Sequence, residues 1–229
     1  MDDEAAVVVT GAAGALGHAV VAEFLAGGRP VIALDRAGAR LDELAERDGV
    51  YAVPADLAGR DAVHAAFATA DALPVVASAL VTLAGAFVPG KLTDVDEEGL
   101  DALWRSNFGS ALWSVQAIAP RLAARGGGAI VTVGSKTAVH GPAPVAHATS
   151  KAAVVRLTQL LADELRHDRI RVNTVLPSVI DTPANRAWMS AELAARAVAP
   201  AAIAKIIAFL CGPDASPISG AAIPVYGDA

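Results

Sequence analysis

Short runs of apolar, β-branched residues alternate along the chain with longer stretches whose apolar positions recur at helical spacing. The runs predict strands at Ala6–Val9, Pro30–Leu34, Tyr51–Pro54, Val75–Leu83, Ala129–Val133, Arg171–Leu176 and Ala222–Val225. The stretches between them predict helices at Gly17–Ala26, Gly38–Glu46, Arg60–Thr69, Glu97–Arg125, His147–Arg166 and Pro200–Phe209. Each strand is apolar throughout rather than alternating, as in strands buried on both faces. Alternation of strand and helix then implies an α/β fold of the Rossmann type, a doubly wound parallel sheet of about seven strands with helices on both faces. No internal repeat, low-complexity tract or Ser/Pro-rich linker interrupts the pattern, so residues 1–229 are expected to form one domain. Pro183–Ala199 is the least regular stretch and is expected to form a mobile lid.

A length of 229 residues suits one large domain. With 54% hydrophobic and 18% charged residues the chain is no disordered or solvating segment. The net charge of −6, with no basic run, argues against a nucleic-acid partner. Cys211 has no second cysteine to pair with, which suggests a reducing compartment. Met1-Asp2-Asp3-Glu4 is acidic where a secretion signal is basic, and no apolar run reaches membrane-spanning length. The expectation is a cytoplasmic protein with no membrane partner. The five histidines show no ligand-like spacing with cysteine or carboxylate, so no metal site is expected.

Candidate chemistry begins where the first strand runs into Thr10-Gly11-Ala12-Ala13-Gly14-Ala15-Leu16-Gly17 and a helix pattern follows. Glycines let such a turn take positive φ and approach a pyrophosphate without a Cβ in the way. The helix start then offers free N–H groups and the positive end of its dipole. Asp35 ends the second strand, where a carboxylate accepts hydrogen bonds from both hydroxyls of an adenine ribose and repels a 2′-phosphate. That favours NAD(H) over NADP(H), although Arg36 is placed to offset a phosphate. Asp56-Leu57, after the third strand, sits where an adenine ring would lie.

Taken with later segments, these residues resemble the short-chain dehydrogenase/reductase family over essentially the whole chain. The family's Thr-Gly-x-x-x-Gly-x-Gly turn has Ala15 at its middle glycine, with Gly14 one place earlier. Its Asn-Asn-Ala-Gly appears as Thr82-Leu83-Ala84-Gly85. Asn107 matches the helix-four asparagine, which in that family holds a water of the proton relay. Ile130–Ser135 resembles the strand ending in the catalytic serine, and Leu176–Pro183 resembles the loop at the nicotinamide. There the backbone of Val179 or Ile180, and the Thr182 hydroxyl, would contact the carboxamide. Ile218–Gly220 and Val225–Gly227 are similar to the last strand, and Gly14–Gly17 with Asp181–Arg186 look closest to the dihydropteridine reductase branch. The resemblance thus implies cofactor contacts from Gly11, Ala13, Gly14, Leu16 and Gly17, from Asp35, Arg36, Asp56 and Leu57, and from Ala84, Gly85 and Lys151. Pro177, Val179, Ile180 and Thr182 complete that set.

The implied catalytic group is Asn107, Ser135, His147 and Lys151. The family's Tyr-x-x-x-Lys reads here His147-Ala148-Thr149-Ser150-Lys151, one residue closer to the serine than usual, and neither Tyr51 nor Tyr226 lies in a segment that obviously replaces the tyrosine. Spacing of four keeps His147 and Lys151 on one helix face. A histidine starts near pKa ~6.5, and a neighbouring Lys⁺ lowers it. Neutral imidazole is a competent general base and a reluctant proton source. Three readings follow. One is hydride transfer between NAD(H) and a small carbonyl, imine or quinonoid substrate. The second is non-redox elimination, isomerisation or cyclisation with His147 as base. The third is a degenerate binding or scaffolding protein.

Other polar residues read more plainly. Lys136 reads as a solvated loop lysine, His18 as helix surface, and His140 as either substrate mouth or exposed loop. Cys211 reads as a small buried apolar residue. Trp104 and Trp113, nine apart on one helix pattern, read as core or subunit contacts. Leu100–Leu122 and Ala148–Leu165 carry more apolar surface than one sheet face needs, and the resemblance implies a homodimer or homotetramer.

Overall fold

Val7-Val8-Val9 sends alternate side chains to opposite faces of a sheet, and both faces are covered, so every residue from Ala6 to Thr10 is buried. This strand, β1 (Ala5–Thr10), is an interior strand of a seven-stranded parallel sheet in a computed structural model that describes residues 5–228. The acidic Met1–Glu4 start lies outside the described residues. The other strands are β2 (Val31–Asp35), β3 (Val50–Pro54), β4 (Val76–Thr82), β5 (Gly128–Val133), β6 (Ile170–Pro177) and β7 (Ala222–Val225), in the order β3-β2-β1-β4-β5-β6-β7. The architecture is the doubly wound fold that the alternation predicts.

One layer comprises α1 (Ala15–Ala26), α2 (Ala39–Ala45) and α9 (Pro200–Cys211). Their Val20, Val21, Leu44, Ile203, Ile207 and Leu210 pack on Val7, Val9, Ala33, Val131 and Val175. The opposite layer holds α3 (Arg60–Ala70), α5 (Ser110–Ala124) and α6 (Val145–Glu164). There Phe67, Ile118 and Leu122 meet Val8, Ile32, Leu34, Leu80 and Ile130. Fully burying one such leucine or isoleucine stabilises by roughly 1.5–3 kcal/mol, so the two apolar layers hold the sheet that positions the site.

Two expectations change. The single helix over Glu97–Arg125 is divided into α4 (Glu97–Trp104), a π-turn (Arg105–Gly109) and α5. Such turns insert one residue per turn and leave the apolar period almost unbroken, so periodicity does not reveal them. The stretch Pro183–Ala199, the least regular in its sequence pattern, also carries regular structure. It contains α7 (Pro183–Arg186) and α8 (Ala191–Arg196), with Ile180 bridged to Val198 and Asp181 N donating to Val198 O at 2.9 Å. No helix among the described residues is long and apolar enough to cross a membrane.

Candidate active site

Strand order reverses direction of winding between β1 and β4, and the connections leaving them in opposite directions open a crevice at the strand C-termini. A cleft of about 720 Å³ lies there. Of the residues expected to hold a nucleotide, Gly11, Ala13, Gly14, Asp35, Arg36, Asp56, Leu57, Ala84 and Gly85 line it. Gly11 has φ +67°, and a Cβ there would come within 2.6 Å of Ala84 N, so only glycine fits. Gly17 does not line the cleft. It is buried against the carbonyls of Gly11 and Ala12, where a Cβ would collide, and lets α1 pack on the turn. The first turn of α1 has no side-chain cap, so its N–H groups remain available to an anion.

Asp35 is fixed by two backbone donors: Ala13 N gives a hydrogen bond to Oδ2 at 2.9 Å and Arg36 N one to Oδ1 at 2.7 Å. The carboxylate thereby ties the end of β2 to the glycine turn. Arg40 and the Ala37–Ala39 backbone, at the start of α2, also line this end of the cleft and had no sequence signal. Ser106 and Ser110 line its other end. They are brought there by the π-turn around Asn107, which explains why periodicity missed them.

Gly85 joins the cleft to the candidate proton-transfer group. A Cβ on it would lie 2.6 Å from Asn107 Oδ1 and 3.4 Å from Lys151 Nζ. Asn107 is buried and pairs with the Ala86 backbone twice: Ala86 N donates to Oδ1 at 2.8 Å, and Nδ2 donates to Ala86 O at 3.1 Å. Nδ2 also donates to Ser150 Oγ at 2.9 Å, and Ser150 Oγ donates to His147 O. The asparagine thus fastens the β4 loop to α6.

His147 and Lys151 are both buried on α6. Lys151 Nζ donates to Val133 O at 2.9 Å, and burial lowers its pKa from 10.5 to about 8. Burial, and then the Lys151 charge, lower the His147 pKa from its ordinary 6.5, while the Ala86 carbonyl opposes them. At neutral pH the imidazole is therefore uncharged. Phe87 packs edge-on against the ring with centroids 5.0 Å apart, and His147 Nδ1 is enclosed with no hydrogen-bond partner. An unpaired buried nitrogen costs about 1–3 kcal/mol.

Ser135 stands at the end of β5, but its hydroxyl is bonded to Thr137 Oγ1 at 2.8 Å rather than to the imidazole. Leu16, Pro177, Val179, Ile180 and Thr182 do not line the cleft. Thr182 caps α7 by accepting from Asn185 N, Asn185 Nδ2 donates to Ile180 O, and Val179 O accepts from Val198 N. Those groups are thus engaged within the loop. Lys136, read as a solvated loop lysine, places Nζ 5.3 Å from the Tyr226 ring centroid, and His140 packs edge-on to the same ring. Cys211 is buried, and its thiol is pushed up to about 12, so it is an apolar residue and no nucleophile.

The family model for short chain dehydrogenases matches residues 5–193. The chain belongs to the short-chain dehydrogenase family. It is 34% identical to galactitol 2-dehydrogenase (L-tagatose-forming) of Cereibacter sphaeroides over 98% of this chain and 94% of that protein. It is 32% identical to 2-(R)-hydroxypropyl-CoM dehydrogenase of Xanthobacter autotrophicus, with 96% of each covered. Among solved structures it superposes on 3-ketoacyl-(acyl-carrier-protein) reductase from Brucella melitensis complexed with NADH at a TM-score of 0.91, with 28% identity and 97% of each chain covered. L-sorbose reductase from Gluconobacter frateurii, complexed with NADPH and L-sorbose, gives 0.90 with 26% identity, covering 99% of this chain and 98% of that one. Short-chain dehydrogenases related to this chain are thus seen with both nicotinamide cofactors. The protein is an enzyme of this family, a dehydrogenase or reductase acting on a small molecule.

Proposed function

We propose that this short-chain dehydrogenase transfers hydride between NAD(H) and a small alcohol or carbonyl compound, with His147 exchanging the proton that a tyrosine exchanges in the wider family. The observation that carries this reading is the buried His147–Lys151 pair on one face of α6, with Lys151 brought to the cleft at Gly85. The cleft residues fit a dinucleotide. Gly11, Ala13 and the uncapped start of α1 would hold the pyrophosphate, and Asp35, Arg36, Asp56 and Leu57 the adenosine. Asp35 supports NAD(H) over NADP(H), because a fixed carboxylate repels a 2′-phosphate. Lys151 would meet the nicotinamide ribose, with Ala84 and Gly85 beside it and the loop Pro177–Thr182 covering the ring. The bound cofactor supplies hydride acceptance or donation.

The residues of the chain manage the proton. Neutral His147 takes the proton of a substrate hydroxyl as general base, and in the reverse direction the imidazolium returns it. Lys151, held on Val133 O, favours the neutral imidazole, the form able to accept a proton. Asn107 keeps the β4 loop and α6 in register, and Ser135 stands ready to exchange its Thr137 partner for substrate oxygen. The reading includes a cytoplasmic homodimer or homotetramer. The test is the pH dependence of alcohol oxidation. With His147 as base, kcat/KM rises through a pKa below 6.5 and is flat at neutral pH. In His147→Tyr the rising limb moves to alkaline pH, because a phenol starts near ~10. An unchanged profile in His147→Tyr removes His147 from the proton path.

A further inference from the structure

We infer that the substrate side of this site is built for an aryl-substituted secondary alcohol and its ketone, not for a polyol or sugar. The inference rests on the proposed redox reading and names its substrate class. Phe87 and Val88 on the β4 loop, Val139 between β5 and α6, Val145 at the start of α6, and Trp188 beside α7 all belong to segments that follow strands at the C-terminal edge of the sheet. These five large apolar side chains are between 46% and 57% exposed. Phe87 is continuous with the proton-transfer group, because its ring edge meets His147 at 5.0 Å between centroids.

Several polar side chains of the same edge are already engaged within the protein. Asn107 is used by Ala86 and Ser150. Thr182 is used by Asn185, Asn185 by Ile180 O, and Asp181 by Arg186. A polyol brings a hydroxyl on every carbon, and each one buried without a partner costs about 1–3 kcal/mol. The imidazole of His147 is buried against Phe87, so the proton-transfer group itself offers a substrate an apolar surround rather than a row of hydrogen-bonding groups. An aromatic substituent gains by covering the exposed rings of Phe87 and Trp188, with edge-to-face contact of the kind Phe87 already makes. In the reaction, the carbinol C–H bond breaks with its electron pair passing as hydride to NAD⁺. The O–H proton passes to His147, the C=O bond forms, and the imidazolium releases the proton to water.

The test compares 1-phenylethanol with galactitol, each with NAD⁺, on the wild-type enzyme and on Phe87→Ala and Phe87→Leu. The expected kcat/KM for 1-phenylethanol exceeds that for galactitol at least 100-fold. Phe87→Ala is expected to lower kcat/KM for 1-phenylethanol about tenfold, mainly through KM, with NADH affinity changed less than twofold, and Phe87→Leu to recover most of that loss. Equal or better use of galactitol overturns the inference, as does a KM for 1-phenylethanol unmoved by Phe87→Ala. If neither alcohol is oxidised while NADH binds, the redox reading itself fails. Calorimetry of 1-phenylethanol and galactitol on the NAD⁺ complex then decides the substrate class. Saturable binding of 1-phenylethanol alone upholds it, and binding of galactitol, with or without 1-phenylethanol, or of neither overturns it.

Discussion

Replacing Lys151 by methionine should destroy activity and stabilise the protein at neutral pH. The ammonium is buried, with the Val133 carbonyl as its hydrogen-bond partner at 2.9 Å. A pKa falling from 10.5 in the unfolded chain to about 8 in the native state makes the charged group about 3 kcal/mol less favourable inside than outside. Methionine has similar length and no charge to bury. It leaves Val133 O without its donor, which costs about 1–1.5 kcal/mol. The net expected gain is roughly 2 kcal/mol at pH 7, or several degrees in Tm for a chain of this size. Between the two pKa values the unfolded chain binds more protons than the native one, so wild-type stability rises with pH from about 8 to 10.5. The advantage of Lys151→Met therefore shrinks through that window and is gone, or slightly reversed, near pH ~10. Urea unfolding of both proteins at pH 7, 8.5 and 10 reads this directly. A variant less stable than wild type at pH 7, or a gain indifferent to pH, refutes the argument that burial of the charge dominates at Lys151.

Other substitutions test the remaining parts. Gly85→Ala places a Cβ 2.6 Å from Asn107 Oδ1 and should displace Asn107 from Ala86, cutting kcat at least tenfold while costing about 1–3 kcal/mol in urea unfolding. Gly11→Ala, at φ +67° and against Ala84, should abolish nucleotide binding measured by NADH fluorescence. Asp35→Ala should weaken NADH more than NADPH in the same assay, because it removes the carboxylate bound to Ala13 N. His147 has a native pKa below 6.5, so its contribution to stability is complete above 6.5 and is lost as pH falls through the native value. His147→Gln should accordingly flatten the fall in unfolding free energy as pH drops below 6.5.

The sheet was legible because strands buried on two faces must be apolar throughout, and Val7-Val8-Val9 or Ile130-Val131 admit no other placement in an alternating α/β chain. The nucleotide end was legible because Gly11 and Asp35 answer to local backbone chemistry at fixed strand ends. What escaped depends on tertiary placement. The π-turn that carries Ser106 and Ser110 to the cleft preserves the helical apolar period, so no count of positions exposes it. The pairing of Phe87 with His147 joins residues 60 apart and leaves no pattern in either segment. The order in Pro183–Ala199 comes from the Ile180–Val198 bridge and the Thr182 and Ser190 caps, which hold two helices too short to show a period.

The most direct measurement is a fluorescence titration of the purified protein with NADH and NADPH in parallel. Saturable NADH binding, at least tenfold tighter than NADPH and weakened by Asp35→Ala, is the result predicted by a cleft that seats the ribose on Asp35. Binding of neither nucleotide, or tighter binding of NADPH, would contradict the assignment of this cleft to NAD(H).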